Sequence, residues 1–270
     1  MDNQLIFLHL PKNGGMTFHS ILNRFYSKES TYNITTGTKS NNSEYAFVNM
    51  TDLERTKINL VKGHLMFGLH QYMNSNTKYV TFLRKPDERI ISFYYYVLRK
   101  PKNNLYHKVK SDKMSLYDFA TRIESKHVNN CQVRWISGID DKEEYMLEKA
   151  LENIERHFSF VGITEKFNAS LILLKNLYNW PLPYYKVKNK TKNRPTLDAI
   201  DKKTIDEINH LNNADNILYK LIDEKISEQI KSTNFMELEL LRLSIINRAY
   251  SNDFSKKIAG KLKRTFFEQN

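Results

Sequence analysis

Apolar positions along the chain follow two periods. Short apolar runs at 5–10 (LIFLHL), in INLVKGH (58–64), in KYVTFLR (78–84) and in FSFVGI (158–163) suit buried strands. Between them the spacing changes. Phe18, Ile21, Leu22 and Phe25 fall at i, i+3, i+4 and i+7, one face of a helix. Ile90, Phe93, Tyr94 and Val97 repeat that pattern behind Pro86, a residue suited to a first helical position. TDLE at 51–54 matches a capping box, and Ser115 is expected to cap a helix running to Ile123. EEYMLEKALENIERHF (143–158) and EKFNASLILLKNLYNW, which stops at Pro181, both read as helices, and two or three more fill the chain from Thr196. Strands alternating with helices predict an α/β fold, a mainly parallel sheet with helices on both faces.

The polar stretches set the organisation. Residues 27–45 read as a surface excursion, and KVKNKTKNRP (186–195) as a basic loop. The chain is expected to hold one domain over 1–230, with 231–270 as a helical C-terminal extension of it. That extension ends in FSKKIAGKLKRTFFEQN, a basic amphipathic segment that suits a solvated helix, or else a helix for a membrane surface or a partner.

Composition narrows the class. Hydrophobic residues make up 40% and aromatic residues 12%, which excludes a disordered chain. A net charge of +12 and a sequence pI near 9.5 favour an anionic partner without choosing among nucleotide, acidic glycan, nucleic acid and membrane. No helix-turn-helix, zinc-finger or RNA-binding signature supports nucleic acid. Cys131 is the only cysteine, so neither an internal disulfide nor a cysteine-based zinc site is expected. No apolar run approaches a membrane span, and 5–10 is too short for a signal-peptide core. If residue 1 is the natural start, a cytoplasmic location is expected.

The stretch LIFLHLPKNGGMTFHSILNRF (5–25) carries the first candidate chemistry. A tight turn between strand and helix presents backbone N–H groups, and the helix start adds partial positive charge. Gly14 and Gly15 let the main chain approach a phosphate, Lys12 reaches it as a point charge, and the Thr17 hydroxyl donates to it. The order is not G-x-x-x-x-G-K-[ST]: the lysine precedes the glycines and no hydroxyl stands directly after it to hold magnesium. A structural turn with a solvated lysine is the other reading of these residues alone.

A second stretch, YVTFLRKPDERIISFYYYV (79–97), places Arg84 at a strand's end and Ser92 in the next helix. Together the two resemble the membrane-associated type of carbohydrate sulfotransferase, the group that includes heparan sulfate 2-O-sulfotransferase and many bacterial relatives. The family's first motif reads roughly F-x-H-x-P-K-T-G-G-T-[ST], its second F-x-R-x-P-x-x-R-x-x-S-x-Y-Y. VKGHLMFGLH resembles its G-H-x-x-F segment, NCQVRWISG its N-x-Q-x-R-x-L-x-G stretch, FVGITEKF its V-G-x-T-E-x-F segment, and KNKTKNRP its late loop over the nucleotide. The resemblance covers about residues 4–225 in the family's order and implies a P-loop-like sulfotransferase fold.

The resemblance implies the donor 3′-phosphoadenosine-5′-phosphosulfate (PAPS), the product 3′-phosphoadenosine-5′-phosphate (PAP), a hydroxyl-bearing acceptor, expected to be a glycan, and no metal. Lys12, Gly14, Gly15, Met16 and Thr17, with Asn13 in the same turn, would cradle the 5′ end. Arg84 and Ser92 would hold the 3′-phosphate, and His64 would be the catalytic base. Asn13 and Met16 depart from the family, which has hydroxyl residues there. Asn189, Thr191 and Arg194 would contact the adenosine or else belong to a solvated loop. Arg134 would pair with a nucleotide phosphate or with a carboxylate. His70 is the second candidate base, and His9 suits packing or support of a site residue from behind. Two other functions compete: a nucleoside-triphosphate-dependent kinase, and a non-catalytic PAP-binding or nucleic-acid-binding protein.

Overall fold

The computed structural model describes residues 4–35, 43–186 and 196–251. Strand β1 (Leu5–Leu8) leads through the turn into α1 (Gly15–Phe25), followed by β2 (Thr31–Ile34), α2 (Glu44–Val48), α3 (Asp52–Thr56) and β3 (Leu60–Gly63). Next come β4 (Lys78–Leu83), α4 (Pro86–Val97), α5 (Tyr106–Ser111), α6 (Leu116–Arg122), α7 (Cys131–Ser137), α8 (Glu143–His157) and β5 (Phe158–Ile163). Four helices close the described chain: α9 (Phe167–Tyr178), α10 (Lys202–Leu211), α11 (Asn213–Ser232) and α12 (Met236–Ser251).

All strand pairs are parallel, in the order β2-β3-β1-β4-β5, with Leu5 opposite both Leu60 and Lys78. The expected α/β architecture is therefore present. Buried residues fill β1 and β3 completely and almost all of β4, as a sheet covered on both faces requires. The chain leaves β1 toward β2 on one side and leaves β4 toward β5 on the other, although β1 and β4 are neighbours. Such a reversal opens a crevice beyond the strands' carboxyl ends, where ligands of open α/β sheets bind. Lys12 and Arg84 follow those two strands.

Local signals set several boundaries. Thr51 and Glu54 form the reciprocal capping box of α3, Ser115 and Asp118 that of α6, and Pro86 opens α4. The excursion at 27–45 contains an element the pattern did not announce: β2, a half-exposed edge strand whose Thr31, Tyr32 and Asn33 conceal it. The expected boundary at 230 falls inside α11. Beyond it, α12 sets Met236 and Leu243 with Ala169 and Ile172 of α9, and Lys175 Nζ lies 2.8 Å from the Glu239 carboxylate. Residues 252–270, with the basic amphipathic end, lie outside the described residues. Among the described residues no helix is long and apolar enough to cross a membrane.

Candidate active site

The turn after β1 is strained at its centre. Lys12 adopts φ 73°, a left-handed conformation unusual for a side chain-bearing residue, and Gly14 follows with φ 76°. Gly15 then begins α1, whose first turn has neither a side-chain cap nor an acidic residue. Thr17 is buried in that first turn, and Met16 is 54% exposed. Gly15 is required from below: a Cβ there would collide with the His9 ring at Nε2.

Asn13 faces inward. Its side-chain amide donates to the Phe82 carbonyl at 2.7 Å and to Gln132 Oε1 at 2.8 Å. Gln132, fully buried in α7, also accepts from the Arg84 amide at 2.9 Å and donates to the Arg84 carbonyl at 2.9 Å. One side chain therefore ties the turn after β1 to the end of β4. Thr164 adds a contact from β5's exit, its hydroxyl donating to the Asn13 carbonyl at 3.2 Å.

Arg84 crosses the crevice. Its Nη1 donates to the Lys12 carbonyl at 3.0 Å, Nη2 to Glu88 at 2.8 Å, and Nε lies 3.8 Å from Glu165. Burial raises the Glu165 carboxyl, against the pull of donors that include the Lys85 amide and Arg84. Lys12 sends its ammonium over the Tyr96 ring of α4, 4.3 Å from the centroid.

His64 follows β3 and stands beside His9, their rings stacked at 4.2 Å. Its Nδ1 is 2.7 Å from the His9 carbonyl oxygen, an acceptor only, so Nδ1 carries the proton and Nε2 keeps a lone pair. Burial lowers the His64 pKa, and Lys12 lowers it further against the opposing hydrogen bond to His9. Trp135 meets the ring edge-on at 6.0 Å. Behind this pair His9 Nδ1 lies 3.0 Å from His19 Nε2, so one of the two donates to the other.

An imidazole oriented through Nδ1, near a turn that carries a lysine, has the chemistry of a general base. The family model for galactose-3-O-sulfotransferase matches residues 2–243, nearly all of the described chain. The chain belongs to the galactose-3-O-sulfotransferase family. It is a carbohydrate sulfotransferase, as the motifs implied at that coarser level. No curated protein matches the chain.

In this sulfotransferase the remaining expected site residues fall in different places. Ser92 is buried in α4, two turns beyond its start. Arg134 pairs with Asp140, which Lys126 also contacts, and donates to the Asn129 carbonyl at 3.3 Å. Of the two partners open to Arg134, the structure displays the carboxylate. His70 stands apart from the crevice: Nδ1 is 3.1 Å from the hydroxyl of Tyr79, which lies at the start of β4, not its tip. Asn189, Thr191 and Arg194 lie outside the described residues. Cys131 is fully buried, with its thiol pushed up to about 11 by burial.

The sequence did not reveal the residues that support the link between the turn after β1 and the end of β4. Asp215 of α11 accepts the Gln132 amide at 3.1 Å and the Val133 amide at 2.8 Å, capping α7 from 82–83 residues away. Asn212 accepts the Asn130 amide at 3.0 Å, and Asn130 holds φ 47°. The stretches around Gln132 and Thr164 were legible as motif segments, though not in these roles.

The depressed histidines predict that the sulfotransferase loses stability in acid. Burial holds His9 well below the usual histidine range and His19 at about 3. A histidine depressed on folding contributes stability above its unfolded pKa, near 6.5, which is lost as pH falls toward the folded value. Unfolding free energy is expected to fall below pH 6.5, by up to about 1.4 kcal/mol per pH unit for each such histidine. His19→Gln should make the decline shallower in urea titrations between pH 7 and 5. An unchanged slope would place the sensitivity elsewhere.

Proposed function

We propose that this sulfotransferase takes its sulfuryl group from PAPS and passes it to a carbohydrate hydroxyl by in-line displacement. His64 Nε2 removes the hydroxyl proton as the acceptor oxygen attacks sulfur. The bond between sulfur and the bridging oxygen breaks, and its electron pair leaves on the 5′-phosphate of PAP. Lys12 and the unblocked N-terminus of α1 stabilise that charge in place, without rearranging during the reaction. So the lysine precedes the glycines because it serves the leaving oxygen, not a metal-bound triphosphate. The observation that carries the reading is the link between adjacent strand tips, Arg84 donating to the Lys12 carbonyl. It brings a guanidinium suited to a 3′-phosphate and a turn suited to a 5′-phosphate within reach of one nucleotide.

The family's activity makes a galactose 3-hydroxyl the first acceptor to test, with a heparan-type glycan beside it. Calorimetric titration with PAP, ADP and magnesium-ATP tests the donor: PAP is expected to bind in the micromolar range and ATP not at all. Preference for ATP would overturn the proposal. Labelled PAPS offered to galactosides then tests the acceptor by transfer of label.

A further inference from the structure

Lys12 is fixed at both of its ends. Its backbone holds φ 73° with the carbonyl accepting from Arg84 Nη1, and its ammonium lies 4.3 Å from the centroid of Tyr96. Tyr96 is half-buried near the end of α4, the helix that follows Arg84. Helical side chains lean toward the helix N-terminus, which brings this ring back toward the crevice. The Lys12 charge also lowers the pKa of both His9 and His64, whose rings stack at 4.2 Å. Tyr94 of the same run serves the core instead, buried and with its hydroxyl donating to the Met114 carbonyl at 2.8 Å.

We propose that Tyr96 is a positioning residue, whose ring face holds the Lys12 ammonium where the leaving 5′-phosphate oxygen develops charge. The inference rests on the leaving-group reading of Lys12. A lysine has four flexible side-chain bonds, and an electron-rich ring face restricts them without neutralising the charge. A carboxylate in the same place would restrict the ammonium too, but would oppose the anion it must meet.

The ring face is the working part, so Tyr96→Phe is expected to retain wild-type turnover with PAPS and a galactoside. Tyr96→Leu is expected to lower kcat roughly 3- to 30-fold, the range of one cation–π contact, with the donor KM within about twofold. In a Lys12→Ala background, Tyr96→Leu should cost nothing further. An equal loss in that background, or a kcat that stays or rises in Tyr96→Leu, would overturn the inference.

An activity-independent readout separates this inference from the donor assignment. After reductive ¹³C-methylation, the Lys12 methyl resonance (assigned with Lys12→Arg) should be shifted upfield by the ring current. The shift should persist in Tyr96→Phe and vanish in Tyr96→Leu. Its absence in the otherwise wild-type protein would sink the Tyr96 proposal. Failure of the unmethylated protein to turn over PAPS would sink the donor reading and the leaving-group role built on it, and leave the Tyr96–Lys12 contact standing.

Discussion

His64→Asn is expected to lose about 10²–10⁴-fold in turnover, the scale of a general base, while keeping PAP affinity within about threefold. The choice of asparagine follows from geometry. Its side-chain amide can still donate to the His9 carbonyl, as His64 Nδ1 does at 2.7 Å, but it brings no counterpart to the Nε2 lone pair. Structure is preserved and the base is removed. The pH dependence supplies a second test. Because burial and Lys12 both lower the His64 pKa, the acid limb of kcat/KM in the free enzyme should lie below 6.5. Removing the lysine charge in Lys12→Ala should move that limb upward, since one cause of the depression is gone. Wild-type turnover in His64→Asn, measured with labelled PAPS, would reassign the base.

Asp215→Ala is expected to destabilise the fold by about 3 kcal/mol or more, read as a lower urea midpoint at unchanged m. The carboxylate is fully buried and accepts two amide N–H groups at the start of α7, and truncation would leave both without their partner. Burial raises its pKa, with the charge of the fully buried Arg89 pulling the other way, so truncation also removes an electrostatic partner of that guanidinium. The damage should not stop at stability. Gln132 begins at that cap and ends on Asn13 and Arg84, so a displaced α7 loosens the link between the two strand tips. PAP affinity is expected to fall with the midpoint. A variant as stable as wild type would remove Asp215 from this role.

These two cases show what a sequence can reveal. Lys12, Gly14, Gly15 and His64 stand in short motifs whose chemistry is local, and the strands around them are apolar enough to declare themselves. Boundaries with their own capping residues, such as Thr51 and Ser115, were legible for the same reason. Helix α7 has no side-chain cap at Asn130; its amides are satisfied by Asp215 on α11, a relation no window of neighbouring residues contains. Strand β2 is polar because it is an edge, so its pairing with β3 leaves little hydrophobic trace. Arg134 looked equally suited to two partners because the nearness of Asp140 depends on how the chain turns after Gly138.

Gly15 carries a consequence for how this turn tolerates change. The imidazole of His9 occupies the volume a methyl group at position 15 would need. The second glycine therefore answers to the floor of the turn as much as to any ligand above it. The two positions form a lock and its filling: an alanine becomes admissible at 15 only when residue 9 gives up its ring, and with that ring goes the surface on which His64 rests.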